Sequence, residues 1–332
     1  MPQYSRPRFL ANIGLIAVSL LFLPIAHAQK AKPLTWPKSF KPAGEAKIIL
    51  VQKGDNDRPF VYHTKNFELQ SPTALNERNL GLFATTAESV PSVLKRIPLP
   101  LLGMPESDRA KVLIYPDEES FVAAGGAQGA AGYYSGRKQA IMLRADTFLN
   151  PPPPAGSKLP PKADYNLLVH EFTHLCMHRD LAYLPTWFTE GVAEYIAAMH
   201  ENKGAYQFSN ISSSIRRRIK SGLPNDKEEI LLPGIAETMS LTAKDWQERI
   251  EQGQIENHYR SYATSLLIVH TLFHGGEKRR TATRQFLEQR QKRPPEADAE
   301  TTLIPLAERK KLQQRIIDYW RPRGLRLKFT SE

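Results

Sequence analysis

The sequence predicts an α+β fold: a small mixed or antiparallel sheet with an edge hairpin, then two helices rich in His and Glu, then a helical C-terminal region. Three observations carry this. Short β-like runs alternate with helical patterns up to about residue 143. Prolines 151–154 and 160–161 then interrupt the chain. From residue 164 onward the apolar spacing is almost entirely helical. With 332 residues, 41% hydrophobic and 24% charged, the chain is long enough to bury a core without staples and is neither disordered nor fibrous. One cysteine, Cys176, excludes an internal disulfide framework and a cysteine-based zinc cluster.

Residues 1–28 read as a secretory signal peptide. Arg6 and Arg8 form a positive start, Phe9–Ile25 an apolar run, and Ala26-His27-Ala28 a small-residue cleavage site before Gln29. The run is at the lower limit for a membrane span, and no other stretch approaches that length. The expectation is an exported chain, periplasmic or secreted, with no transmembrane span after cleavage.

Residues 29–44, rich in Lys and Pro, read as a linker to one domain over 45–274, with an α/β half at 45–150 and a helical half at 164–274. Ala46–Val51, Phe60–His63 and Phe67–Leu69 are the first strands, with a Gly54-Asp55-Asn56-Asp57 turn between the first two. Apolar residues from Leu75 to Leu94 recur at helical spacing, and Pro91 is expected to kink that helix or open a second one. Lys111–Tyr115 is a buried strand, and Asp117 caps a short helix ended by Gly125-Gly126. Gly132–Tyr134 and Gln139–Leu143 flank Ser135–Lys138 as a β-hairpin.

Net charge is +11, or +9 without Arg6 and Arg8. Residues 276–332 hold 15 Lys and Arg against 8 Asp and Glu, so +7 of it lies in that C-terminal stretch. This basic helical region, 275–332, could make a weak contact with an anionic surface. Interspersed acids and the lack of an aromatic stacking pattern point away from specific nucleic-acid binding, and toward a solvated helical face.

The chemistry-bearing segment is His170-Glu171-Phe172-Thr173-His174. On a helix capped by Asp164, His170 and His174 lie one turn apart on one face and can share one Zn²⁺. Glu171, rotated about 100°, can reach an attacking water without being a ligand. Leu168, Phe172 and Leu175 point toward the core. A zinc site needs a third protein ligand. A turn and an antiparallel return later, the next helix, Trp187–Tyr195, offers Glu190 and Glu194, again four apart, opposite an apolar face of Phe188, Val192, Tyr195 and Met199. His178 continues the row past His174 but cannot join the same ion from a straight helix, so it is expected to be exposed; Cys176 is expected to be a buried, inert thiol.

HEFTH followed by WFTEGVAEY resembles the gluzincin clan of zinc metallopeptidases, which includes thermolysin and the aminopeptidase N type enzymes. It is most similar to the peptidase-MA-like domains of exported bacterial proteins. The likeness covers roughly residues 67–274 and implies a zincin arrangement of the two helices. It implies Glu190 as third ligand to Zn²⁺ beside His170 and His174, Glu171 as general base, and Glu194 hydrogen-bonded to His170. Tyr262-Ala-Thr-Ser-Leu-Leu is similar to the aminopeptidase Y-E-K-G-x-x-L-L stretch, with Thr264 and Ser265 in place of its Lys and Gly. That likeness makes Tyr262 the candidate hydrogen-bond donor to a developing oxyanion, with Tyr259 behind it. The G-x-M-E-N segment that captures a free amine is absent, so an endopeptidase acting on peptide or protein substrates is expected. The alternative is a non-catalytic peptide- or polyanion-binding protein on the same fold.

Overall fold

The computed structural model describes residues 35–151, 163–225, 228–252, 255–290 and 303–330. The expected signal peptide, residues 29–34 of the expected linker and the proline-rich 152–162 lie outside them. The fold is α+β, as expected.

Strand β1 (Ser39–Phe40) is followed by β2 (Ile49–Gln52), β3 (Phe60–His63) and β4 (Phe67–Ser71), then helix α1 (Glu77–Leu94), β5 (Ala110–Tyr115), α2 (Glu118–Ala123), the hairpin β6 (Gly132–Ser135) and β7 (Ala140–Arg144), and the short α3 (Ala145–Phe148). Six of these strands form one mixed sheet in the order β2-β3-β4-β5-β7-β6. Pairing is parallel between β4, β5 and β7 and antiparallel elsewhere, so β6 is an edge strand, as the hairpin pattern anticipates. The α1 crossover explains the parallel β4–β5 pair, since parallel neighbours need a long connection. Asn76 caps α1 by accepting from the Arg78 N–H, and Asp117 caps α2 in a capping box with Ser120. Pro91 is inside α1 and opens no second helix: it is buried, and its missing N–H removes the one helical hydrogen bond that residue 91 would make.

The helical half comprises α4 (Tyr165–Cys176), α5 (His178–Leu181), α6 (Thr186–Met199), β8 (Tyr206–Gln207), α7 (Ile211–Gly222), β9 (Ile230–Leu232), α8 (Ile235–Ser240), α9 (Ala243–Gln252) and α10 (Ile255–His274). The basic C-terminal region supplies α11 (Glu277–Arg290), α12 (Leu306–Trp320), a 3₁₀ turn and β10 (Leu327–Phe329), which pairs in parallel with β9. Among the described residues no helix is long and apolar enough to cross a membrane.

Helix α4 is anchored through Phe172, whose ring packs edge-on against Phe67 of β4 (4.8 Å) and Phe83 of α1 (6.0 Å). Full burial of such a side chain contributes about 3 kcal/mol. The expected inward residues Leu168, Phe172 and Leu175 are all fully buried, as are Phe188, Val192, Tyr195 and Met199 of α6. Helix α6 lies against α4 and α10. Its contact with α10 is close because Gly191 has no side chain: a Cβ there would stand 2.5 Å from the Ser265 carbonyl oxygen.

Residues 35–44 of the expected linker are docked. Trp36 stacks among Tyr195, Phe208, Phe273 and His274, with ring centroids 4.5–6.3 Å away, and β1 pairs with β8. Composition pointed to a linker; the two large aromatics Trp36 and Phe40 make it a strap over the helical half.

Candidate metal centre

Asp164 caps α4 by accepting from the Asn166 and Leu167 N–H groups at 3.1 and 3.0 Å. This fixes the helix start ahead of His170. The i, i+4 spacing then turns both imidazoles to one side. Pro185 opens α6 and brings Glu190 across from them. The His170 and His174 Nε2 atoms are 3.1 Å apart, and Glu190 Oε2 stands 3.2 and 3.3 Å from them. The three form a group able to hold a metal ion.

The donor set fits such an ion. Tetrahedral zinc with bonds of about 2.0–2.1 Å separates its ligand atoms by about 3.3 Å, close to the sides of this triangle. Glu190 Oε2 is buried and receives no aligned hydrogen bond, although both rings lie within ion-pair distance. A buried carboxylate oxygen facing two ring nitrogens without a proton directed at it is what a cation would satisfy.

Burial alone would push the His170 imidazole down, but Glu190 and Glu194 outweigh it and raise it to about 10. Burial would raise Glu190, yet His174 and His170 hold it at about 2. Glu194 is held well below the usual carboxylate range: burial opposes this, and Arg218 and then His170 prevail. Without an ion, the two carboxylates thus favour a positive charge on the His170 ring between them. Glu171, 8% exposed, is raised by its burial, the shift a general base near neutral pH requires.

Glu194 Oε1 lies 2.9 Å from His170 Nδ1, leaving Nε2 turned toward Glu190 and His174. Tyr262 lines the cleft with His170, Glu171, His174 and Glu190. Its ring centroid is 5.9 Å from that of His170 and 4.7 Å from that of Trp246. Tyr259 does not share this position: its hydroxyl donates to Glu194 Oε2 at 3.0 Å. His178, expected to be exposed, is half-buried, and its Nδ1 meets the Tyr134 hydroxyl of the edge strand. Cys176 is buried as expected, which pushes its thiol up.

Sequence reasoning missed four residues here. Gly132 of β6 lets the edge strand lie on Glu171: a Cβ would stand 2.7 Å from its Cγ. Trp246 of α9 and Tyr134 of β6 also line the cleft, and Arg218 of α7 grips Glu194 through Nε and Nη2, each at 2.8 Å. Only Gly132, a small residue opening a strand beside two tyrosines, carried a local signal.

The chain matches no protein-family model. It is similar to the uncharacterized protein YhcO of Bacillus subtilis (strain 168), 28% identical over 107 residues. The match covers 29% of this chain and spans about a third, 32%, of that relative.

Proposed function

We propose that the protein is a zinc-dependent peptidase that cleaves within peptide chains, with one ion held by His170, His174 and Glu190, and that it is exported after removal of residues 1–28. One observation carries the reading: a triangle of two Nε2 atoms and Glu190 Oε2, with sides of 3.1–3.3 Å, in one cleft with a buried carboxyl that is not part of it, Glu171. Bound zinc would supply Lewis acidity, activating a water and polarising the substrate carbonyl. Glu171 takes the proton from the attacking water and passes it to the leaving amine. The Tyr262 hydroxyl, held protonated by burial and by nearby carboxylates, donates to the carbonyl oxygen as charge builds there. The outer edge of β6 beside Glu171, unpaired among the described residues, offers backbone N–H and C=O groups to an extended peptide.

Cleavage within chains is favoured by the lining. Among the described residues, the cleft of about 580 Å³ is walled beyond His170, Glu171, His174 and Glu190 by uncharged residues, among them Tyr133, Tyr134, Leu184, Gln247 and Trp246. None of these offers a charge to pair with a substrate's terminal amine or carboxylate.

The test is a peptide-library digest by zinc-loaded wild type and Glu171→Gln, with metal content measured on both. Wild type should hold about one zinc per chain and cleave. The variant should hold the same zinc and lose cleavage. Equal turnover in the variant would overturn the mechanism.

A further inference from the structure

The Glu194 carboxylate is 2% exposed and fully engaged. Oε1 accepts from His170 Nδ1 (2.9 Å) and Arg218 Nη2 (2.8 Å). Oε2 accepts from Arg218 Nε (2.8 Å) and the Tyr259 hydroxyl (3.0 Å). A carboxylate has about four acceptor positions, so none is left to let it turn. The guanidinium grips both oxygens as a planar fork. Its carbon lies 5.8 Å from the centroid of the Tyr259 ring, so the two partners brace each other. Tyr259 sits in a seat made for it: a Cβ on Gly222, at the end of α7, would fall 2.1 Å from its ring.

Arg218 comes from α7 and Tyr259 from α10, neither of which carries a metal ligand. Neither side chain lines the cleft, so neither is placed to touch substrate. Their connection to the site runs through Glu194 to the His170 ring.

We propose that Arg218 and Tyr259 are positioning residues of the metal centre. They clamp Glu194 so that the His170 ring is already turned with Nε2 toward Glu190 and His174 when a metal ion arrives. This rests on the reading of His170, His174 and Glu190 as a divalent-metal site. A ligand fixed in advance loses little freedom on binding, so the clamp acts on metal affinity. A merely structural role, tying α7 to α6, would alter stability and leave the metal's surroundings alone.

The experiment measures Zn²⁺ affinity by competition with a chromophoric chelator, and the visible spectrum of the Co²⁺-loaded protein, on the full chain. Wild type is compared with Tyr259→Phe, Arg218→Lys and Arg218→Met, with circular dichroism reporting the fold. Removing the partner of a ligand histidine's support typically costs about 10–100-fold in affinity. Tyr259→Phe, which loses only a hydroxyl, should weaken zinc by about 10-fold and Arg218→Met by about 100-fold. Arg218→Lys should fall between, and the Co²⁺ bands should shift in the same order. Should Arg218→Met fail to fold, Tyr259→Phe still decides. Folded Tyr259→Phe and Arg218→Lys with wild-type zinc affinity and an unchanged Co²⁺ spectrum would overturn the clamp. Wild type that takes up neither ion overturns the metal site itself and the clamp with it, so the two failures are told apart by the wild type alone.

Discussion

Replacing Gly191 by alanine sets two effects of known size against each other. Helix propensity favours the change: alanine inside a helix is better than glycine by about 0.5–1 kcal/mol. Packing opposes it. The new methyl would stand 2.5 Å from the Ser265 carbonyl oxygen, 2.8 Å from its carbon and 2.6 Å from Val269 Cγ2. An ordinary carbon–oxygen contact is about 3.3 Å, so α6 and α10 must separate by about 0.8 Å where both are buried. The obstacle is backbone, which cannot rotate away, so the upper end of the overpacking range applies, about 3 kcal/mol. The net expectation is a loss of about 2 kcal/mol, or about 3 °C in Tm for a domain of this size. Because Glu190 precedes Gly191, zinc affinity should fall with it. Thermal unfolding followed by circular dichroism, paired with a chelator titration, reads both. A Tm equal to or above wild type would show that the α6–α10 contact is looser than its geometry requires.

Gly132→Ala should leave zinc content unchanged and lower peptide hydrolysis by about 100-fold, since its methyl would meet Glu171 Cγ at 2.7 Å and a displacement of about 1 Å costs that much; full activity would sink the placement of Glu171 under the edge strand. Tyr262→Phe should lower kcat by about 10²–10³-fold with metal affinity intact, the reverse of the pattern expected for Tyr259→Phe. Acid should destabilise the protein through two buried histidines, His200 and His270, and the partly buried His274. Burial depresses His200 to about 4, His270 to about 3 and His274 to about 4. The unfolded chain therefore takes up protons that the folded one refuses, and stability is lost as pH falls below about 6.5, on the order of 2 kcal/mol per group by pH 5. His270→Leu should flatten the slope of Tm against pH over that window, and an unchanged slope would show that His270 does not carry the effect.

The parts of the site legible in the sequence are those fixed by helical periodicity. His170 and His174 share a face because they are four apart, and Glu190 and Glu194 for the same reason, so one helix register settled each pair. Asp164 and Asp117 were readable as caps because a short polar side chain before an apolar helical run has few other uses. Tyr262 and Tyr259 could not be told apart by spacing, since residues three apart lie on nearly one face; their partners, Trp246 and Glu194, come from other elements. Arg218 was hidden among three consecutive arginines, where only the fold decides which one turns inward. The docking of Trp36 was masked by the lysines and prolines around it, because composition reports a segment's average and a single aromatic can hold it down.

The wide spread along the chain of the residues around Glu194 bears on the order in which the protein can mature. His170, His174 and Glu190 are all carried by α4 and α6, so the three ligands come together as soon as these two helices pack. Their supports come from further along the chain: Arg218 lies 24 residues beyond Glu194, the same separation as His170 from Glu194, and Tyr259 lies 65 residues beyond it. Of these contacts the one made by Tyr259 closes the longest loop and so costs the most entropy to form. A nascent or clipped chain ending before α10 would therefore own every ligand and still lack the groups that hold His170 in place. If the site holds a metal ion, its full affinity would in this way await the completed helical half.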